Sequence, residues 1–284
     1  MTRRTFLRAS VGLLAASSVG GSAARAAAVP LRMGVHPYTS TLALIDTHRP
    51  LRQHLETTLA QAVEFYTAAN FEAFIRALLA GEYDIVITPP HFGVLAMERQ
   101  QYLPLLHYKA RLEPFLVVRQ ESAYQHATDF SGKRIAMADK TALIRLAMLK
   151  TLADAGLTAG RDFHVVERPT HGAAIMATLQ GEADAGVAMP TVFKLQPAEV
   201  RKQLRTVLGG QSFPNLFTLA HPRLGALLVS RIGLTLREFA NLPAGRAFFD
   251  QTGYGGYEVL YKEEIAAMTP YVEMVRPLVA KYSL

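Results

Sequence analysis

The stretch "PTHGAAIMATLQGEADAG", from Pro169, sets a histidine immediately before a glycine-alanine helical run, which a short acidic turn then connects to an apolar strand. An imidazole can give or take a hydrogen bond near neutral pH. His171 therefore either touches a ligand or serves the helix start as a capping or solvated residue. A second candidate lies in "YDIVITPPHFG", a buried strand that ends in two prolines and gives way to a helix, placing Thr88, His91 and Phe92 in a strand-to-helix loop. Loops at strand carboxyl ends are where open α/β sheets bind ligands. Bond-making chemistry has no comparable signature. There is no cysteine, and the chain carries no nucleophile elbow, glycine-rich dinucleotide turn or phosphate loop. Its nine histidines, His36, His48, His54, His91, His107, His126, His164, His171 and His221, lack the close pairing of a zinc site. The expectation is recognition without catalysis, metal or cofactor.

The elements that must position these groups alternate. "LRMGVHP" reads as a strand, "LIDTHRPLRQHLETTLA" as a helix, "AVEFYTA" as a strand, and "FEAFIRALLAGE" as a helix with Phe71, Phe74, Ile75, Leu78 and Leu79 on one face. After "EPFLVVRQES" a second series begins. "DFSGKRIAMADKTALIRLAMLKTLADAGL" gives a loop, a strand, a turn at Asp139 and Lys140, and a long helix. "DFHVVERPTH", "GAAIMATLQGE" and "ADAGVAMP" follow as strand, helix and strand, with "TVFKLQPAEVRKQL" as a further helix. The unit repeats in kind rather than in residues. Past "RTVLGGQSFPNLF" comes an apolar strand, "GALLVS", then helices containing "TLREFANLPAGRAFFDQ" and "EEIAAMTPYVEMVRPLVAKY". Such alternation predicts an α/β protein with largely parallel sheets. The length predicts two lobes, and "LEPFLVVRQ" and "GGQSFPNLF" mark two crossovers between them.

The chain opens "MTRRTFLRAS", then "VGLLAASSVGGSAARAAA": a basic stretch, a weakly apolar stretch and a small-residue cleavage segment, an export signal. Arg3 and Arg4, followed by Thr5, Phe6 and Leu7, resemble the twin-arginine pattern, with an ordinary signal as the alternative. The apolar stretch falls short of the ~20 residues of a membrane span. With cleavage after Ala26, removing Arg3, Arg4, Arg8 and Arg25 and no acid takes the net charge from +7 to +3. The basic balance is thus partly a targeting feature, and no dense Lys/Arg stripe with interleaved aromatics calls for nucleic acid.

Taken together, "PLRQHLETTLAQAVEF", "GEYDIVITPPHFGVLA", "DFSGKRIAMAD", "HGAAIMATLQGEADAGVAM" and "QSFPNLF" resemble, in order and spacing, the periplasmic phosphate/phosphite/phosphonate substrate-binding proteins of ABC importers. The resemblance implies a two-lobed α/β periplasmic binding protein fold of type II with two hinge crossovers, closing on a small ligand. Its expected layout is a signal over 1–26, a first lobe over 27–115, a second over 116–212, and a return to the first lobe with C-terminal helices over 213–284. It also implies a small anionic ligand, an ABC permease partner and a monomer. Alternatives are a sensory protein for a membrane signalling partner and an exported enzyme.

The resemblance gives His171 an address, since family members place a histidine about thirty residues beyond the anion-binding helix start of the second lobe to donate to a ligand oxygen. That helix start usually carries a serine-threonine-serine run, whose hydroxyls and free amides surround the anion. Here it reads Lys140, Thr141, Ala142: one hydroxyl and a lysine, which is either a ligand contact or a solvated helix-start residue. Members that hold aminoalkyl phosphonates carry carboxylates near Pro190, Thr191 and Asn215; this chain has none there. Asp184, a tempting substitute, reads as a turn acid before a buried strand. From the first lobe the resemblance adds Tyr38, Thr39 and Ser40 in "GVHPYTS", and Thr88, His91 and Phe92, each either facing the ligand or packing in its own loop.

Overall fold

The computed structural model describes residues 29–282; the export segment expected over 1–26 lies outside them. The first lobe alternates β1 (Leu31–Val35), α1 (Thr41–Leu59), β2 (Val63–Tyr66), α2 (Phe71–Leu79), β3 (Ile85–Thr88), α3 (Pro90–Gln100) and β4 (Leu103–Tyr108). The chain then crosses to a second lobe of β5 (Phe115–Arg119), β6 (Arg134–Met137), α4 (Leu143–Asp154), β7 (His164–Glu167), α5 (His171–Leu179), β8 (Ala185–Ala188), α6 (Pro190–Lys194), α7 (Ala198–Lys202) and β9 (Leu204–Gly209). It returns through β10 (Phe217–Ala220), α8 (Gly225–Asn241), α9 (Pro243–Thr252), β11 (Tyr257–Val259), α10 (Lys262–Ala266) and α11 (Thr269–Val279).

The sheet orders are β11-β4-β10-β3-β1-β2 and β7-β6-β8-β5-β9. Each sheet takes one antiparallel strand directly from a crossover. β5 pairs antiparallel with β8 and β9, and β10 with β3 and β4. Both sheets are therefore mixed rather than largely parallel, because a strand that enters from the other lobe runs against its neighbours. The crossovers touch midway, where Leu112 and Phe213 exchange backbone hydrogen bonds of 2.9 and 2.8 Å.

Two sequence expectations are corrected. "GALLVS" is the first turn and a half of α8, whose Val229, Ile232, Leu236 and Phe239 bury one side at helical spacing. The strand is the four-residue "FTLA" just before it, buried throughout. "TVFKLQPAEVRKQL" is two short helices, because Pro197 lacks an amide and starts α7 as its N-cap.

The lobes also repeat at residue level, one hundred positions apart. Asn70 and Thr170 cap α2 and α5, accepting from Ala73 N at 2.9 Å and Ala173 N at 3.1 Å. Gly81 and Gly181 turn both helices out at φ +70° and +76°. Asp84 and Asp184 then accept from Arg32 N at 2.8 Å and Arg134 N at 2.9 Å. Asp184 thus locks the amino end of β8, at the edge of the sheet opposite the strand carboxyl ends, which agrees with the turn-acid reading.

The largest core cluster joins the lobes, with Phe74, Ile75 and Phe92 from the first, Ile135, Met137 and Leu146 from the second, and Tyr271, Val272 and Val275 of α11. α11 packs on both α3 and α4. Its Tyr271 ring meets Phe213 of the second crossover edge-on at 5.0 Å. The C-terminal helix therefore spans the hinge, and the two sheets present their carboxyl edges to each other.

Candidate functional site

Five strand ends supply the facing edges: His36 after β1, Thr88 at the end of β3, Asp139 after β6, Arg168 after β7 and Met189 after β8. His91 lies in the first turn of α3, which starts without a side-chain cap because Pro89 and Pro90 occupy its entry. Its Nε2 lies 2.9 Å from the Thr141 carbonyl, a buried contact between the lobes.

Three imidazoles gather here. His36 is buried under Phe71, Phe74 and Phe92, with ring centroids at 4.3, 5.3 and 6.3 Å. Burial pushes its pKa down to about 3, with nearby His91 and His171 adding repulsion. His91 and His171 are each pushed down by burial to about 4, partly offset by the Thr141 carbonyl for His91 and the Val187 carbonyl for His171. All three are neutral at neutral pH, and the Nδ1 of each lacks a partner. Thr88 Oγ1 and Asn215 Nδ2, also buried, lack one too. Thr88 stands opposite Phe217 in the β3–β10 ladder, two residues on from Asn215, and His36 N bonds the Ile87 carbonyl at 3.0 Å. These groups occupy adjoining rungs of one sheet edge. Among the described residues no three His, Cys, Asp or Glu side chains are arranged to hold a metal ion.

The expected site residues divide. Thr88, His91 and His171 carry buried unpartnered atoms at this edge. His171 does not cap its helix: Thr170 does, leaving the half-buried imidazole to the first helical position. Phe92 is fully buried, 4.0 Å from the His91 ring, and packs as core. Ser40 caps α1, accepting from Ala43 N at 3.3 Å. Thr39 and Lys140 are exposed. Tyr38 is half-buried and hydrogen-bonds Tyr254 within its own lobe. The Thr141 hydroxyl, expected to donate to an anion, donates to Asp139 Oδ1 at 2.6 Å, and the Thr141 amide does the same at 2.8 Å. An aspartate turns back on the chain in this way when its carboxylate can reach the amide two residues on.

The sequence reading does not choose His36 or Arg145 as contacts, and it names Asn215 only as a position without a carboxylate. Arg145 is 8% exposed; it donates to the Ala138 carbonyl at 2.9 Å and pairs with both Glu167 oxygens. Its charge is matched by the exposed Glu167, while its buried Nε has no partner. The signal for His36 was its place directly after the first strand, equivalent to that of the loop after β3. Two open hollows elsewhere, one beside Arg32, Glu82 and Arg223 and one beside Gln61, Leu227 and Arg231, lie away from these strand ends and gather none of the unpartnered buried atoms.

Comparison with known proteins identifies the family. A model of the family described as "ABC transporter, phosphonate, periplasmic substrate-binding protein" matches residues 33–264. Among solved structures, XAC2383 from Xanthomonas citri bound to ATP is similar at a TM-score of 0.74 and 14% identity, over 87% of this chain and 98% of that one. PhnD1 from Prochlorococcus marinus in complex with methylphosphonate is similar at 0.74 and 14%, over 87% and 97%. A binding protein component of an ABC phosphonate transporter from Pseudomonas aeruginosa is similar at 0.71 and 12%, over 89% and 96%. The chain thus belongs to the periplasmic phosphonate substrate-binding family of ABC transporters, a transport component and not an enzyme.

Proposed function

We propose that this chain captures a small phosphonate- or phosphite-like oxyanion between its lobes and presents the closed form to an inner-membrane ABC permease. What supports this is the row of buried polar atoms without partners, drawn from both lobes: His36, Thr88, His91 and Asn215 on one side and His171 on the other. Dry, unpaired polar groups cost free energy. Ligand oxygens and hydroxyls would pair them only with the lobes together, so the ligand's greater affinity for the closed state shifts the hinge equilibrium. Tyr38, Thr39 and Lys140, in the loops at these strand ends, would contact the part of a ligand that projects from the cleft. The complex of the Prochlorococcus protein supplies the first probe, methylphosphonate.

The test is a thermal-shift screen of phosphate, phosphite, methylphosphonate, aminoethylphosphonate, sulfate, sulfonates and small carboxylates. A phosphonate or phosphite at about 100 times its dissociation constant should add roughly 2.7 kcal/mol of stability. A screen in which only carboxylates raise the transition would overturn the reading.

We also propose export through the twin-arginine route as a monomer, on the strength of Arg3 and Arg4. Lysine at both positions should leave precursor in the cytoplasm, and unchanged delivery would remove that route. Sedimentation at twice the chain mass would remove the monomer.

A further inference from the structure

Thr141 links two acceptors, half-buried Asp139 and fully buried His91, each of which keeps one atom without a protein partner. On its own lobe, Asp139 uses Oδ1 for the Thr141 amide and hydroxyl, while Oδ2 has no partner among the described residues. From the other lobe, His91 reaches the Thr141 carbonyl through Nε2 at 2.9 Å. A carbonyl only accepts, so that nitrogen carries the hydrogen. The ring is neutral because burial pushes its pKa down to about 4. Nδ1 of His91 is then a bare lone pair, fully buried and unpartnered.

Thr141, which both groups contact, stands just before the first turn of α4, where the Leu143 and Ile144 amides have no acceptor within the helix and the helix dipole favours negative charge. An oxyanion resting there meets donors on one side and bare acceptors on the other. A fully ionised tetrahedral anion suits only the donors, since each of its oxygens faces the Asp139 carboxylate as a like charge. A singly protonated anion satisfies both sides, because its hydroxyl can donate to Asp139 Oδ2 or His91 Nδ1.

We propose, building on the ligand class given above, that Asp139 and His91 read a proton on the ligand, so that the cleft selects a singly protonated phosphonate or phosphite over fully ionised sulfonates of the same shape. The charged and titratable groups around Asp139 fit this. Lys140, on its own loop, is exposed. Arg145 of α4 is matched by Glu167 at the end of β7, and Arg168 by Glu182. His36, His91 and His171, facing it from the first lobe and from α5, stay neutral above about pH 4. Among the described residues no unmatched buried cation waits for a second negative charge. A ligand ammonium, the other possible donor, would sit against the amino end of α4 and beside Lys140 and Arg145, where like charge opposes it.

The test is calorimetry on the exported protein with methylphosphonate, methanesulfonate and 2-aminoethylphosphonate, from about pH 5.5 to 8.5, a range in which these imidazoles do not titrate. Methylphosphonate should bind at least about tenfold more tightly than methanesulfonate at the acid end, and should weaken by about tenfold per pH unit beyond its second ionisation. Asp139→Asn keeps an oxygen for Thr141 but replaces the free acceptor with a donor. It should bring methanesulfonate to within about threefold of methylphosphonate and flatten the pH dependence. Equal binding of the two anions by the native protein would overturn this inference and leave the ligand class standing, as would pH-independent methylphosphonate binding. Binding of 2-aminoethylphosphonate at least about tenfold tighter than methylphosphonate would also overturn it, by assigning the acceptors to an ammonium. Binding of neither phosphonate would remove the ligand class and this inference together.

Discussion

Alanine at His171 is expected to weaken methylphosphonate binding by about 1 to 3 kcal/mol, roughly 5- to 150-fold in dissociation constant, while leaving ligand-free unfolding nearly unchanged. The argument rests on where the imidazole sits. Thr170, not His171, caps α5, so its removal leaves the helix start intact. Its Nδ1 has no protein partner to lose. A ligand hydroxyl that donates to this bare Nδ1, however, loses its acceptor and pays the full desolvation cost. Thr141→Ala is the contrasting variant. Its hydroxyl already serves Asp139 at 2.6 Å, so the substitution should loosen the turn more than it weakens binding. Calorimetry giving wild-type affinity for His171→Ala, or a larger loss for Thr141→Ala, would place the ligand elsewhere.

The sequence carries the lobes and most of the elements because burial periodicity and turn chemistry act locally. The two "GE-x-D" turns and the proline-marked crossovers are visible by eye, and the structure shows both lobes using them in the same way. "GALLVS" fails for a stated reason: a short apolar run fits a buried strand and a helix start equally well. Its Leu227 is 79% exposed, which only tertiary packing decides. The site is less legible than the fold. Thr88, His91 and His171 are found by their loop positions, whereas Phe92 and Ser40 share those loops and serve the core and a cap. What decides between the two roles is whether a side chain's polar atoms find protein partners. That depends on residues far away in sequence, as with Asn215 beside Thr88, or Asp139 and His91 meeting at Thr141.

The contact that holds His171 in place predicts a large stability effect for a single methyl group. Gly186 of β8 lies directly under α5, and a Cβ there would come within 2.5 Å of Thr178 Oγ1 and 2.6 Å of the Ala174 carbonyl oxygen. Neither neighbour can yield easily. The carbonyl belongs to the helix backbone, and the Thr178 hydroxyl is fully buried and donates to that same carbonyl at 3.0 Å. The helix itself must lift from the sheet. Overpacking of this kind costs about 1 to 3 kcal/mol, and at roughly 2 to 4 °C per kcal/mol for a chain of this size, Gly186→Ala should lower the unfolding midpoint by several degrees. Because the displaced element begins at His171, the variant should also bind methylphosphonate more weakly. Gly209→Ala in β9, where a Cβ meets nothing within 4 Å, should do neither. Equal unfolding midpoints for the two variants would mean that α5 can shift over β8 without cost, and a midpoint lowered at full affinity would mean that the ligand does not depend on the start of α5.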